Sequence, residues 1–240
     1  MKPALMRPGT SDITPLDLDQ LDRLKPLRRI PGRNRFKADI LVHRRGTLQL
    51  ALKDYRARPW WVRHTFGRVL VARETAGYAA ACGIPGVARF LGRLGPLTLA
   101  TEWVEGRTLR SYLGQIVDPA ILGQLREILD RLHGAGIALG DLNRRDVLID
   151  NAGNVTLIDF ATALVLGETP GALRARLHKR FLMHDEIAYA RLRAFFSGED
   201  TTRAVEDLGQ EFAATHRRQR KWKYRVDRLR GRSHEYSDDG

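Results

Sequence analysis

The sequence predicts an α+β chain in which a small antiparallel sheet with one long helix precedes a mostly helical half. Three observations predict it. Two short apolar runs, within Phe36–His43 and Thr47–Tyr55, flank Gly46 and read as paired strands. Between Trp60 and Ala81, Trp61, Phe66, Val69, Leu70, Ala76 and Ala80 recur among Arg63, Arg68, Arg73 and Glu74, which suits a long basic helix ending at Gly83. After Asp118-Pro119, an N-cap followed by a proline at the first helical position, Ile121, Leu122, Leu125, Ile128, Leu129 and Leu132 keep one apolar face up to Gly134.

The remaining elements follow in order. Residues 1–27, with Pro3, Pro8, Pro15 and Pro26, read as an irregular arm. Val87–Leu91 and Leu97–Val104 flank Gly95-Pro96 as a further hairpin, and Glu105-Gly106 marks a joint, giving parts at 28–105 and 106–212. His133, near the end of the second helix, reads as a helix C-terminal cap outside any site. Val147–Asp150 and Val155–Ile158 form a hairpin around Asn151-Ala-Gly-Asn154. Residues 213–240 are left as a basic tail.

Composition narrows the class. The 240 residues carry 41 Lys+Arg against 28 Asp+Glu, a net charge of +13, with 43% hydrophobic residues and one cysteine, Cys82. That apolar fraction excludes a disordered chain, and one cysteine excludes a disulfide scaffold or a Cys-based zinc site. A reducing, cytoplasmic compartment is expected. Met1–Pro8 has no apolar signal region, and no stretch reaches the ~18 apolar residues of a membrane span. The charge favours an anionic partner: nucleic acid, a lipid headgroup surface or a phosphorylated substrate.

Chemistry enters at the last hairpin. If Asp150 pairs with Val155, then Asp146 and Asp159 face each other at its open end. Opposed like charges destabilise an antiparallel pair, so two carboxylates there invite a cation, and oxygen ligands with room for phosphates suit Mg²⁺. Asp141, in the preceding loop, adds a third carboxylate suited to act as a base. The bland alternative is a set of turn aspartates accepting backbone N–H groups.

Asp141-Leu-Asn-Arg-Arg-Asp146 followed by Leu157-Ile-Asp-Phe160 resembles the catalytic loop and metal-binding motif of the protein-kinase-like superfamily. It most resembles the small bacterial branch of lipopolysaccharide (Kdo/heptose) kinases and RIO-type atypical kinases. The resemblance covers about residues 28–196. It implies a bilobal kinase-like fold with an abbreviated helical C-terminal lobe, and ATP and Mg²⁺ as cofactors. It also implies residue roles. Lys53 in Leu50-Ala-Leu-Lys53 would contact the α/β-phosphates, and Glu74 would pair with it. Glu102 and Val104 of Thr101–Gly106 would offer backbone hydrogen bonds to adenine. Asp146 and Asp159 would bind Mg²⁺, and Asp141 would take the proton of the attacking hydroxyl. Arg145, beside Asp146, is a further candidate to neutralise the transferring phosphate.

The sequence also departs from the family pattern. Pro31-Gly-Arg-Asn-Arg-Phe-Lys37 lacks the several glycines of a phosphate-covering loop, so Arg33, Arg35 or Lys37 would contact phosphate through side chains. Leu139 stands in place of histidine, Asp146 in place of asparagine, and Ala161 follows Asp-Phe in place of glycine. No Ala-Pro-Glu motif follows, which favours a non-peptide acceptor.

Arg217–Arg232 holds nine cations against Asp227, with Trp222 and Tyr224 interleaved. It reads as a docking segment for an anionic membrane, for RNA or the ribosome, or as a solvated tail. Arg56, Arg58, Trp60, Trp61, Arg63 and Arg68 form a second basic-aromatic cluster. The expected function is transfer of the ATP γ-phosphate to a hydroxyl, with a lipopolysaccharide core sugar or envelope glycolipid at the inner face of the inner membrane as the favoured acceptor. The alternatives are a RIO-like serine/threonine protein kinase and a pseudokinase binding module.

Overall fold

A computed structural model describes residues 18–167 and 169–218; most of the basic tail and most of the N-terminal arm lie outside the described residues. The fold is α+β. The chain divides into two compact units, the first formed by residues up to Ala72 with Phe90–Trp103, the second by Arg73–Arg89 with Val104 onward.

In the first unit β1 (Arg28–Ile30), β2 (Asp39–Arg45), β3 (Leu48–Asp54), β4 (Phe90–Gly95) and β5 (Thr98–Glu102) form one antiparallel sheet in the order β1-β2-β3-β5-β4. β2 and β3 close on the pair Arg45↔Leu48. The intervening turn needs Gly46, whose φ of +59° is the left-handed conformation that glycine adopts at little cost. Leu50 and Leu52, two residues apart on β3, share one face with Ala100 and are covered by Leu21 of the short helix α1 (Leu18–Asp22). The buried carboxylates at the sheet margin are spoken for. Asp39 takes Arg29 (2.9 Å), Arg58 and the Gly32 N–H, and Asp54 takes Arg56.

The long helix forms over Trp60–Ala80, but with a change of pitch: α2 (Trp60–Val62) passes through a π turn at Arg63–Gly67 into α3 (Arg68–Ala80). Regular α spacing would place Phe66 under Val62, on the buried face. The extra residue brings Gly67 there instead, where a Cβ would lie 3.1 Å from Leu97 and 3.3 Å from Tyr55. Val62, Gly67 and Val71 are buried and Phe66 is turned outward.

The second unit is built on α4 (Pro119–Gly134), whose N-cap Asp118 accepts the Ala120 N–H at 2.8 Å and whose Leu122, Leu125, Ile128, Leu129 and Leu132 are buried. β6 (Arg107–Thr108), β8 (Val147–Ile149) and β9 (Val155–Leu157) make one small sheet, and β7 (Ile137–Ala138) pairs with β10 (Leu164–Val165) in another. α5 (Ala172–Ser197) and α6 (Thr201–Glu206) follow, and residues 210–218 are helical. Gln124 of α4 clasps the β8–β9 hairpin, donating to the Gly153 carbonyl and accepting from the Val155 N–H, both at 3.0 Å. Among the described residues no helix is long and apolar enough to cross a membrane.

Three expectations about local structure are corrected. Phe36 and Lys37 lie before β2, in a turn closed by Asn34, whose side chain accepts the Phe36 N–H at 2.9 Å. Val87 does not join the β4–β5 hairpin. It forms a parallel bridge to Leu157, flanked by the Leu157 N–H on Gly86 (2.8 Å) and the Ala88 N–H on Leu157 (3.0 Å). The β8–β9 hairpin is also one residue out of the expected register, because its loop has three residues rather than four. Asp150 pairs with Asn154 and accepts the N–H groups of Ala152 and Asn154, both at 2.8 Å, while Gly153 takes a φ of +82°. Val147 therefore pairs with Leu157, and the Ile158 N–H reaches the Asp146 carbonyl at 3.0 Å. Asp146 stands across from Ile158, not Asp159.

Gly86 meets two constraints together, a φ of +83° and a would-be Cβ 2.3 Å from the Ile128 side chain. Gly86→Ala should destabilise the protein by about 2–4 kcal/mol, from roughly 1 kcal/mol of left-handed backbone strain and the remainder from overpacking. The shift in urea midpoint, with unchanged m-value, measures it.

Candidate active site

The loop carrying Asp141 is fixed from behind. β7 has only two residues, too few to aim the chain that follows it, and the anchoring comes from α5. Asp185, fully buried, accepts the Leu139 N–H through Oδ2 and the Gly140 N–H through Oδ1, each at 2.7 Å. Gly140 has a φ of +76°, and a Cβ on it would lie 2.5 Å from the Phe181 ring one turn earlier on α5. Only glycine satisfies both the backbone and the ring. Asp141 then emerges on the exposed side of this clamp.

Burying a lone carboxylate is expensive, so Asp185 needs a counter-charge. His133 supplies it. Its Nε2 lies 3.1 Å from Asp185 and its Nδ1 3.5 Å from Glu186. Glu186 in turn receives both arms of Arg126, at 2.7 and 3.0 Å. Burial pulls the His133 imidazole towards its neutral form, but hydrogen bonds to the two carboxylates overcome it and hold its pKa up at about 9. The hydrogen bond from His133, aided by Arg126 and opposed by burial, holds Glu186 down at about 2. His133 is thus not the helix cap expected of it. The capping bonds of α4 are backbone ones, from Ala135 to the Arg131 carbonyl and from Gly136 to the His133 carbonyl.

The chain from Asn143 to Asp146 makes a turn. The Asp146 N–H donates to the Asn143 carbonyl at 2.9 Å, and the Arg145 N–H to the Asn143 side chain at 3.1 Å. Arg144 is buried with its guanidinium 5.8 Å over the Phe195 ring, and its carbonyl accepts the Arg110 N–H. Arg145, by contrast, has a buried Nε with no hydrogen-bond partner among the described residues.

Segment 158–163 lies against this loop. Besides the Ile158–Asp146 bond, the Thr162 hydroxyl donates to the Leu139 carbonyl at 2.9 Å. Asp159 begins the segment and accepts the Ala161 N–H at 2.9 Å. Phe160 is buried under α3, 4.7 Å from the Tyr78 ring, at a point where Gly77 has no room for a Cβ. Arg73 reaches the Thr162 carbonyl at 2.9 Å, and Glu74, one turn before Tyr78, is buried at 1% exposure. The second unit therefore brings Asp141, Asp146 and Asp159 onto two adjoining loops, with Arg145 beside them. Among the described residues no group of three or more His, Cys, Asp or Glu side chains forms a metal cage.

The other expected site residues fall as follows. Lys53, half-buried on β3, pairs in register with Ile40 and Leu99 of the first unit, and Glu102 ends β5 opposite Leu50. Val104 and Glu74 belong to the second unit. Arg33 and Arg35 are exposed in the β1–β2 loop. Three N–H groups of that loop are engaged internally, Gly32 on Asp39 and Phe36 and Lys37 on Asn34.

Sequence reasoning missed Asp185 and His133. A signal existed for the first: Phe181, Asp185, Ala188, Leu192 and Phe195 follow helical spacing, so a carboxylate stood on the apolar stripe of a long helix. No family model matches the chain, and no curated protein matches it.

The His133–Glu186 pair sets a pH window. His133 is raised from 6.5 to about 9, so its stabilisation is complete below pH 6.5 and lost as pH rises through about 9. Glu186 is lowered from 4.5 to about 2, so its contribution is complete above pH 4.5 and lost as pH falls through about 2. Urea midpoints should be highest between about pH 4.5 and 6.5, and His133→Gln should flatten the fall between pH 7 and 9.

Proposed function

We propose that the chain is an ATP- and Mg²⁺-dependent phosphotransferase of bilobal kinase-like fold that phosphorylates a hydroxyl of an anionic acceptor, a lipopolysaccharide core sugar or similar envelope glycolipid. The observation that carries this reading is the pair of adjoining loops that bear Asp141, Asp146 and Asp159, the first held by Asp185 and the second seated by Phe160. The ordered residues Lys53, Glu74, Glu102, Val104, Asp141, Asp146 and Asp159 add the resemblance in sequence.

The donor chemistry fits the metal. Asp146 and Asp159 offer hard carboxylate oxygens from neighbouring loops, and two carboxylates with phosphates and water are a usual complement for Mg²⁺. Bound there with ATP, the ion would neutralise phosphate charge. The chain's own residues do the rest. Asp141, exposed beside the clamped backbone, accepts the proton of the acceptor hydroxyl as its oxygen bonds to the γ-phosphorus and the bond from that phosphorus to the β–γ bridging oxygen breaks, releasing ADP. Arg145 provides a donor for the equatorial oxygens of the transferring group. Lys53 holds the α/β-phosphates, with Arg33 and Arg35 supplementing it where the loop lacks glycines. The resemblance gives Glu74 as the residue that would pair with Lys53, and the backbone of Glu102 and Val104 as what would receive adenine.

Transfer of label from γ-labelled ATP into a fractionated bacterial extract tests the reading. Asp141→Asn should lower transfer by about 10²–10⁴-fold, the range for loss of a general base, and leave nucleotide binding intact. Asp159→Asn should instead weaken Mg²⁺-dependent ATP binding. Label in the glycolipid fraction that Asp141→Asn abolishes supports the proposed acceptor. Label in protein favours a RIO-like protein kinase, and no Mg²⁺-dependent ATP binding leaves a pseudokinase binding module.

A further inference from the structure

The π turn at Arg63–Gly67 has a consequence at the surface of the first unit. Such turns are rare and concentrate at functional positions. Here the turn exchanges a core aromatic for a glycine: Gly67 fills the space between Tyr55 and Leu97, and Phe66 is left 53% exposed. Trp60 (73%) and Val69 (57%) are exposed on the same helical stretch, and Phe36 (43%) packs edge-on against Phe66 and Trp61, with centroids 5.7 and 5.5 Å apart. From Trp60 to Val69 the stretch is about 13 Å long at helical rise. A protein gains nothing in stability from presenting these side chains to water.

The charge around them has one sign. Between Pro31 and Lys37, and again between Trp60 and Arg73, there is no Asp or Glu, while Lys37, Arg63 and Arg68 supply cations. The nearby buried carboxylates, Asp39 and Asp54, are already bound by arginines. We propose that this Phe36–Trp60–Phe66–Val69 surface docks the protein on an anionic lipid bilayer, with the apolar side chains at the headgroup–acyl boundary and Lys37, Arg63 and Arg68 at the phosphates. Aromatic rings suit that boundary, and each nearby cation adds electrostatic attraction. Single-stranded nucleic acid fits the surface less well. Stacking needs open ring faces, whereas Phe36 is already met edge-on by two neighbours at 77° and 89°, and Val69 has no ring to offer. The proposal does not rest on phosphotransfer, since Phe36, Trp60, Phe66 and Val69 have no part in that reading.

Sedimentation of the full chain with vesicles tests it, comparing pure phosphatidylcholine with a 1:1 mixture of phosphatidylcholine and phosphatidylglycerol. Binding to the anionic vesicles should be at least tenfold tighter and should weaken in 0.5 M salt. Trp60→Ser with Phe66→Ser should lower it at least tenfold in a protein that still melts cooperatively, with the melt lowered by no more than the loss of the Phe36–Phe66 ring contact. Arg68→Glu should lower it as well, whereas Ile116→Ala, an apolar residue 77% exposed on the second unit, should not. In brominated lipid, tryptophan emission should be quenched in the natural protein and less so in Trp60→Phe. Unchanged vesicle binding in the double variant, equal loss in Ile116→Ala, or a surface-dependent preference for single-stranded RNA over vesicles would overturn it.

Discussion

One buried carboxylate organises the second unit. Asp185 sits at zero exposure in the middle of α5, and its two oxygens hold the two N–H groups that start the loop before Asp141. A charge so placed is tolerable only if it is fully paired, because an uncompensated buried ion destabilises by several kcal/mol. His133, Glu186 and Arg126 complete the pairing, so the end of α4, the middle of α5 and the Leu139–Gly140 backbone become a single electrostatic unit. Gly140 and Phe181 add a steric lock on the same two residues. The exposed Asp141 inherits its position from one fully buried carboxylate and its partly buried partners.

The neighbouring loop is seated by a different force. Phe160 is buried against Tyr78 and Gly77 of α3, and its burial pins Asp159 at the start of the segment. Thr162 then ties that segment back to Leu139, and β10 returns to pair with β7. Polar clamping on one side and aromatic packing on the other hold two short loops that have almost no regular structure of their own. Rigidity of this sort is what the proposed chemistry asks for, since phosphoryl transfer gains most from positioning and fixed charge.

Much of this was legible in the sequence and some was not, for reasons that particular residues show. The strands around Gly46 and the helix after Asp118-Pro119 were readable because alternation, turn chemistry and capping agree locally. The existence of the β8–β9 hairpin was readable too, but its register was not. That register depends on Asp150 spending its carboxylate on the N–H groups of Ala152 and Asn154, which shortens the loop by one residue. The π turn was invisible because Val62 and Phe66 carry a normal helical spacing, and only the tight approach of Tyr55 and Leu97 selects Gly67 instead. His133 was misjudged because its partners lie 52 and 53 residues away in sequence. Asp141, Asp146, Asp159 and Arg145 were picked out by local spacing, which set Asp146 one residue out of register, and the groups that hold their loops show only in three dimensions.

The claim that Asp185 fixes the loop is tested most directly by amide hydrogen exchange at Leu139 and Gly140 in the natural protein and in Asp185→Asn. The asparagine keeps one acceptor and turns an N–H donor towards the other amide, so one hydrogen bond is lost with little change of shape. The account predicts that these two amides exchange at least tenfold faster in the variant than its loss of global stability explains, while amides of β8 and β9 follow global stability. Protection at Leu139 and Gly140 that changes only in step with the rest of the unit would contradict it.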